Sequence, residues 1–231
     1  MIKNNIFINS KYKSIDQIID KLKSNNICII RNFINISQAR IAKKQINNIY
    51  KKKELAKLDF NKFSASLKDF NAKQKKFLPR YNYEISFPLN HKKYITIINI
   101  NKKISNLILK LIKKRRINKD YFFASRALLY PTNKGFLEKH RDKNAAKRLR
   151  RFSKKYFQVI VDITEREKDY TGGGPFFFIK NKKYQLGGYI KPGDAIIYNE
   201  KMFHGVDKIR SNNPKHLGRI SLLSTIYLKY N

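Results

Sequence analysis

A single cysteine, Cys28, stands in a chain of 231 residues. One thiol cannot close an internal disulfide, which excludes a disulfide-stapled framework and fits a reducing compartment. Its neighbours are Ile27, Ile29 and Ile30, so a buried, inert thiol is expected. No stretch reaches the roughly 18 consecutive apolar residues that a membrane span needs. Met1 to Tyr12 has neither the continuous apolar segment nor the small-residue cleavage site of a secretory leader. A cytoplasmic protein with no membrane span is therefore expected. Internal repeats and Pro- or Ser-rich linkers are absent too, and nothing marks a second domain. Acidic residues are scarce: 16 Asp and Glu stand against 52 Lys and Arg, a formal net charge of +36. Histidine is scarcer, with four in the whole chain.

The excess of positive charge invites a nucleic-acid partner. A plainer cause competes, because abundant Lys, Asn, Ile, Tyr and Phe are what an AT-biased genome produces whatever the function. The charge is also spread along the chain. It predicts a surface whose non-specific binding to polyanions weakens with salt. Hydrophobic residues make up 42% and aromatic residues 13% of the chain, enough for a folded core. The length suits one domain over residues 1–231.

Hydrophobic periodicity lays out the elements. Ile6 to Ile8 reads as a short strand. Ser14 and Gln17 suit a helix cap, followed by a stripe of Ile15, Ile18, Ile19 and Leu22. Ile27 to Arg31 reads as a strand, and Ser37 to Lys53 as a second helix. Phe60, Phe63, Leu67 and Phe70, within the weakly patterned stretch Glu54–Tyr83, are spaced for one helix face, and equally for a loop that packs aromatics over a substrate pocket. A third helical stretch begins at His91, with Ile95, Ile98, Ile104, Leu107, Ile108 and Leu111 turned to the core. From Asp120 onward the pattern is β: strands over Asp120–Tyr130, Tyr156–Val161, Phe176–Lys180, Tyr189–Ile190, Ala195–Tyr198, around His204, and Arg219–Tyr227. Short strands separated by Gly, Pro and Asn turns suit a closed or double-sheet architecture. Residues 1–120 read as mostly helical support and residues 121–231 as the β core. The densest basic run, Lys143, Lys147, Arg148, Arg150, Arg151, Lys154 and Lys155, reads as a solvated loop, with an acidic-substrate clamp as the sharper alternative.

Chemistry concentrates between Tyr130 and Ser221. His140-Arg141-Asp142 is an H-x-D pair, and His204 follows far downstream in Met202-Phe203-His204-Gly205-Val206. In extended backbone, residues i and i+2 point to the same side, so His140 and Asp142 can reach one ion. Two imidazoles and a carboxylate can occupy one face of an octahedral metal and leave three positions open, the facial triad of non-heme Fe(II) oxygenases. Arg219, after Gly218 in an otherwise apolar strand, offers a planar fork that matches a carboxylate. Each residue has a plainer reading: a hydrogen-bonded strand histidine, a surface arginine, an ordinary strand serine at Ser221.

The pattern resembles the Fe(II)- and 2-oxoglutarate-dependent dioxygenases over roughly the last hundred residues. Lys191-Pro192-Gly193-Asp194 with the strand to Tyr198 resembles that superfamily's turn and strand before the second histidine. Thr171 to Gly174 before Pro175 resembles its glycine-rich entry to a core strand. Tyr130-Pro131 resembles the prolyl-hydroxylase branch, although the loop Arg210–His216 places the basic residue later than that branch usually does. The resemblance implies an α+β chain, mainly β, with a double-stranded β-helix (jelly-roll) core and N-terminal supporting helices. It implies iron ligation by His140, Asp142 and His204, and 2-oxoglutarate bound by Arg219, Ser221 and Tyr130. With dioxygen, and ascorbate as a stimulant, such an enzyme hydroxylates an unactivated C–H bond while 2-oxoglutarate becomes succinate. The substrate class implied is a small molecule, amino acid-like or a biosynthetic intermediate, or a protein side chain.

Two alternatives stand beside this. One is a nucleic-acid demethylase of the same superfamily; against it, Arg219-Ile220-Ser221-Leu222-Leu223-Ser224 has no second arginine of the R-x-N-x-T-x-R type. The other is a non-catalytic basic nucleic-acid-binding module with a structural metal. Such a site closes with four ligands, and neither Cys28 nor His216 is an obvious fourth.

Overall fold

The first helix starts and stops for local reasons. In the computed structural model, which describes residues 6–9, 14–51, 80–81, 83–86, 92–116, 121–141, 152–199 and 201–229, α1 spans Ile15–Asn25. The Ser14 hydroxyl accepts from the Gln17 amide at 3.1 Å, and the Gln17 side chain accepts from the Ser14 amide at 3.0 Å. This reciprocal pair satisfies two amides that the helix leaves open. Asn26, with φ 59°, ends the helix by donating its N–H to the Leu22 carbonyl. Helix α2, Ile36–Lys51, opens with the same device from Asn35 and Gln38, and α3 spans Ile95–Lys114.

The strands form two largely antiparallel sheets. Those described are β1 Phe7–Asn9, β2 Ile27–Arg31, β3 Arg80–Tyr81, β4 Tyr83–Ser86, β5 Tyr121–Pro131, β6 Phe136–His140, β7 Phe152–Asp162, β8 Gly172–Ile179, β9 Lys182–Gln185, β10 Ala195–Asn199, β11 His204–Arg210 and β12 Gly218–Lys229. The larger sheet runs β1-β2-β10-β7-β12-β5-β4, and the smaller runs β3-β6-β11-β8-β9. Only β1 and β2 pair in parallel among the described strands. The first 120 residues thus supply edge strands to both sheets as well as the helices.

Alternation of side chains divides the core in two. One face of the larger sheet, with Cys28, Ile30, Val159, Val161, Ile197 and Leu222, packs against helix residues such as Ile18, Ile46 and Ile104. Its other face, with Ile29, Leu128, Ile160, Ile196 and Leu223, packs against Phe177, Ile179 and Val206 of the smaller sheet. Each fully buried aliphatic side chain contributes about 1.5–3 kcal/mol by leaving water, so both layers stabilise the sheet between them.

Three details differ from the sequence reading. Strand β7 begins at Phe152 and not at Tyr156, so Lys154 and Lys155, read as the end of the basic loop, are paired with Leu228 and Tyr227 of β12. The strand expected to run to Lys180 turns there: Lys180 and Asn181 both have positive φ (49° and 63°), and Ile179 pairs with Lys182 to open β9. A two-residue turn with both φ positive matches strand twist and favours Asn, Asp or Gly; a lysine hid it, and the polar strand Lys182–Gln185 was missed. Conversely, Tyr189–Ile190 is no strand. Both amides donate to the Leu186 carbonyl at 2.8 and 3.1 Å, and Gly187-Gly188 lets the chain coil there. No described helix is long and apolar enough to cross a membrane.

Candidate functional site

Strands β6 and β11 are neighbours in the smaller sheet, and their registry sets His140 directly opposite His204. The two ring centroids lie 4.2 Å apart. Each ring is held in the same way: His140 Nδ1 meets the Glu138 carbonyl at 2.9 Å, and His204 Nδ1 meets the Met202 carbonyl at 3.1 Å. A carbonyl oxygen can only accept, so each Nδ1 carries a proton. That is where an imidazole that ligates a metal through Nε2 needs it.

His204 is buried, at 5% exposure. Phe177, its cross-strand partner on β8, stacks on it with centroids 5.8 Å apart and planes 21° apart. Tyr198 of β10 approaches from the larger sheet, with its hydroxyl 3.2 Å from His204 Nε2 and 2.8 Å from Gln158 Oε1, to which it donates. Two adjacent imidazoles, each with Nδ1 tied to a carbonyl, are a donor pair that fits a metal ion. Asp142 lies outside the described residues. So do His91, the basic run from Lys143 to Arg151, and most of Glu54–Tyr83. Among the described residues, no group of three His, Cys, Asp or Glu side chains converges on one point.

Arg219 is the first inward residue of β12, opposite Tyr130 on β5. Gly218 puts it there: its φ is 118°, and a Cβ would sit 2.0 Å from the Tyr130 carbonyl oxygen. The arginine is 1% exposed and meets a residue the sequence reading did not single out, Asp162 at the end of β7. Nε donates to Asp162 Oδ2 at 2.9 Å. Nη2 lies 2.7 Å from the same oxygen, yet its N–H bonds are not aimed at it, and Nη2 has no hydrogen-bond partner. Ser221, across from Asp162 in the β7–β12 registry, is fully buried, and its hydroxyl is also unpartnered. Asp162 Oδ1 accepts from the Thr164 hydroxyl at 3.2 Å. The guanidinium carbon lies 5.8 Å from the centre of the Tyr130 ring.

Burial pushes the Asp162 carboxyl up, and the neighbouring Arg219 charge offsets part of that push. For Arg219 burial is the largest single influence and works against the charged form, but Asp162, Tyr170 and Tyr130 together outweigh it and keep the guanidinium ionised. Burial also pushes the Tyr170 phenol up, with Asp162 adding to the effect. A signal for Asp162 was present: in a chain poor in acids, it closes the apolar run Val159-Ile160-Val161.

Of the residues expected at the site, His140 and His204 are brought together, and Arg219, Ser221 and Tyr130 meet around the inner face of β12. Tyr130 and Tyr198 line the same inter-sheet core. His216 staples its own loop, bonding to the Ser211 hydroxyl at 2.8 Å and to Asn213 at 3.2 Å. Cys28 is buried on the helix-facing side of β2.

The fold is similar to that of solved prolyl hydroxylases. A Pseudomonas putida prolyl-4-hydroxylase aligns with a TM-score of 0.58 at 13% identity, over 94% of this chain and 100% of that one. A Trichoplax adhaerens prolyl hydroxylase, in complex with a hypoxia inducible factor oxygen degradation domain peptide fragment, aligns with a TM-score of 0.66 at 16% identity, over 93% of this chain and 88% of that one. At such identities the likeness is one of fold. No family model matches the chain, and no curated protein matches it in sequence.

Proposed function

We propose that the chain is an Fe(II)- and 2-oxoglutarate-dependent dioxygenase that hydroxylates an unactivated C–H bond. Its substrate would be a small molecule, amino acid-like or a biosynthetic intermediate, or a protein side chain. The observation that carries this reading is the His140–His204 pair, two imidazoles side by side across adjacent strands with both Nδ1 atoms tied to backbone carbonyls. The double-stranded β-helix reading is supported by two facing sheets and by likeness to two prolyl hydroxylases, one of which holds a peptide.

His140, Asp142 and His204 would hold the iron. Arg219 and Ser221 would hold the outer carboxylate of 2-oxoglutarate. The buried Ser221 hydroxyl has no hydrogen-bond partner, and Arg219 Nη2 has only an off-line ion-pair contact to Asp162. Buried polar atoms without good hydrogen bonds are costly unless a ligand fills them. When bound, iron and 2-oxoglutarate supply the oxidising chemistry, and the chain supplies position. The Glu138 and Met202 carbonyls fix the imidazole tautomers. Phe177 stacks on His204, and the burial of Arg219 beside the Tyr130 ring lets its charge act at low dielectric.

The test is succinate formation by the full chain with Fe(II), ascorbate and 2-oxoglutarate, first alone and then with pooled amino acids and peptides. Turnover that vanishes in Asp142→Ala supports the reading. Full turnover in Asp142→Ala, or none with any pool, sinks it.

A further inference from the structure

We propose that Asp162 makes the co-substrate pocket proton-coupled: a dicarboxylate such as 2-oxoglutarate binds with uptake of one proton, which Asp162 accepts. This rests on the reading that Arg219 anchors the outer carboxylate, and it adds a residue that decides which ligands the pocket takes.

Arg219 is 1% exposed and Asp162 2% exposed, and the two form an ion pair with no net charge, screened from bulk solvent. The atoms that invite a ligand carboxylate are the unpartnered Ser221 Oγ and Arg219 Nη2, whose one contact is an off-line ion pair with Asp162, and they lie on the two residues that Asp162 faces. A carboxylate seated there stands beside a second carboxylate with one guanidinium between them. Two carboxylates that share a buried site do not both stay ionised; one takes a proton.

The surroundings leave Asp162 as the group that takes it. From β12 it faces Arg219, whose charge is fixed. Tyr170 and Tyr130 present phenols, and Arg166 and Asp169 act from farther out, through Tyr170. The Thr164 hydroxyl donates to Oδ1. The Asp194 carboxylate is engaged elsewhere, by Arg31 and the Asn32 amide, and only its backbone carbonyl meets Asp162. Burial has already moved the Asp162 carboxyl upward. A ligand that draws on the Arg219 charge moves it further.

A 2-oxoacid without the outer carboxylate leaves the Asp162–Arg219 pair intact and needs no proton. The pocket therefore separates dicarboxylate from monocarboxylate ligands by pH.

Calorimetric titration of the full chain, loaded with Mn(II) so that no turnover occurs, tests this in paired buffers of different ionisation heat. With 2-oxoglutarate, uptake should approach one proton per ligand, and the affinity should fall about tenfold per pH unit in the range where uptake is complete. With 2-oxobutyrate, uptake should be absent, which removes the metal-binding end of the ligand as the proton's destination. Asp162→Asn should abolish the uptake and flatten the pH dependence. Binding of 2-oxoglutarate to the native chain without proton uptake overturns the proposal, as does equal uptake in Asp162→Asn. Arg219→Met binding 2-oxoglutarate as tightly as the native chain overturns the anchoring role itself, and the proposal with it.

Discussion

His140 and His204 face one another across adjacent strands, with ring centroids 4.2 Å apart and each Nδ1 committed to the carbonyl two residues back. In the proposed metal site the two imidazoles are thus oriented before any ion arrives. Side chains already fixed in the bound pose lose little freedom when the ion comes.

Removing either imidazole should therefore cost metal affinity without unfolding the chain. His204→Ala is expected to weaken Co(II) or Mn(II) binding by at least about 100-fold, since loss of an outer orienting partner alone costs about 10–100-fold. Equilibrium dialysis measures the affinity, and an unchanged melting curve shows that the fold persists. Affinity within a factor of two of the native chain would remove His204 from the metal site.

How much of this was legible follows from which signals are local. The Ser14–Gln17 cap, the stripe of α1 and the apolar strand Ile27–Arg31 rest on neighbours in sequence, and they appear where the pattern put them. The two histidine segments could be singled out because histidine is rare in the chain and both sit in distinctive phrases. The partner of Arg219 was not legible. Asp162 lies 57 positions away in sequence, and only the β7–β12 pairing brings it near. The Tyr198–Gln158–His204 chain of contacts spans three strands and had no local signature either. The Lys180-Asn181 turn was hidden because one of its two positive-φ residues is a lysine.

The Asp162–Arg219 pair makes a stability prediction with a definite shape. Arg219→Met leaves a buried carboxylate with no counter-charge, a change that costs about 3–5 kcal/mol. Urea denaturation should show this loss in Arg219→Met. The double change Asp162→Leu with Arg219→Met should recover most of it, because a buried ion pair replaced by apolar side chains of similar volume is often neutral or better. A double variant as unstable as the single one would mean that the pair's hydrogen bonds to the Thr164 turn carry the stability instead.

Cys28 should be inert in the folded protein and should matter only in alkali. Burial raises its thiol from an ordinary value of 9.0 to about 12. Below pH 9 both states keep the proton and the thiol adds no pH dependence. Between pH 9 and about 12 the unfolded chain releases the proton while the folded chain holds it, so stability falls as pH rises. The slope approaches about 1.4 kcal/mol per pH unit for this one group. Denaturation curves of the native chain and Cys28→Ala at pH 8, 10 and 11 should converge as pH rises. Parallel curves would show that the thiol titrates alike in both states. At pH 8 a thiol reagent should react only after denaturant is added.

Gly218 links the backbone to the chemistry of the next residue. Its φ of 118° lies where side-chain-bearing residues rarely sit, and an added Cβ would lie 2.0 Å from the Tyr130 carbonyl oxygen, which is backbone and cannot swing aside. Gly218→Ala must therefore part β12 from β5 at the point where Arg219 pairs with Tyr130. The backbone strain alone costs about 1–3 kcal/mol, and the clash adds to it. The displaced guanidinium should lose its aim at the pocket, so 2-oxoglutarate affinity should fall by at least about tenfold while Co(II) affinity at the histidine pair stays within a factor of about two. Calorimetric titration of both ligands on the folded variant separates the two effects. Loss of both affinities together would show that Gly218 holds the whole inner face in place; loss of neither would show that β12 absorbs the change without moving Arg219.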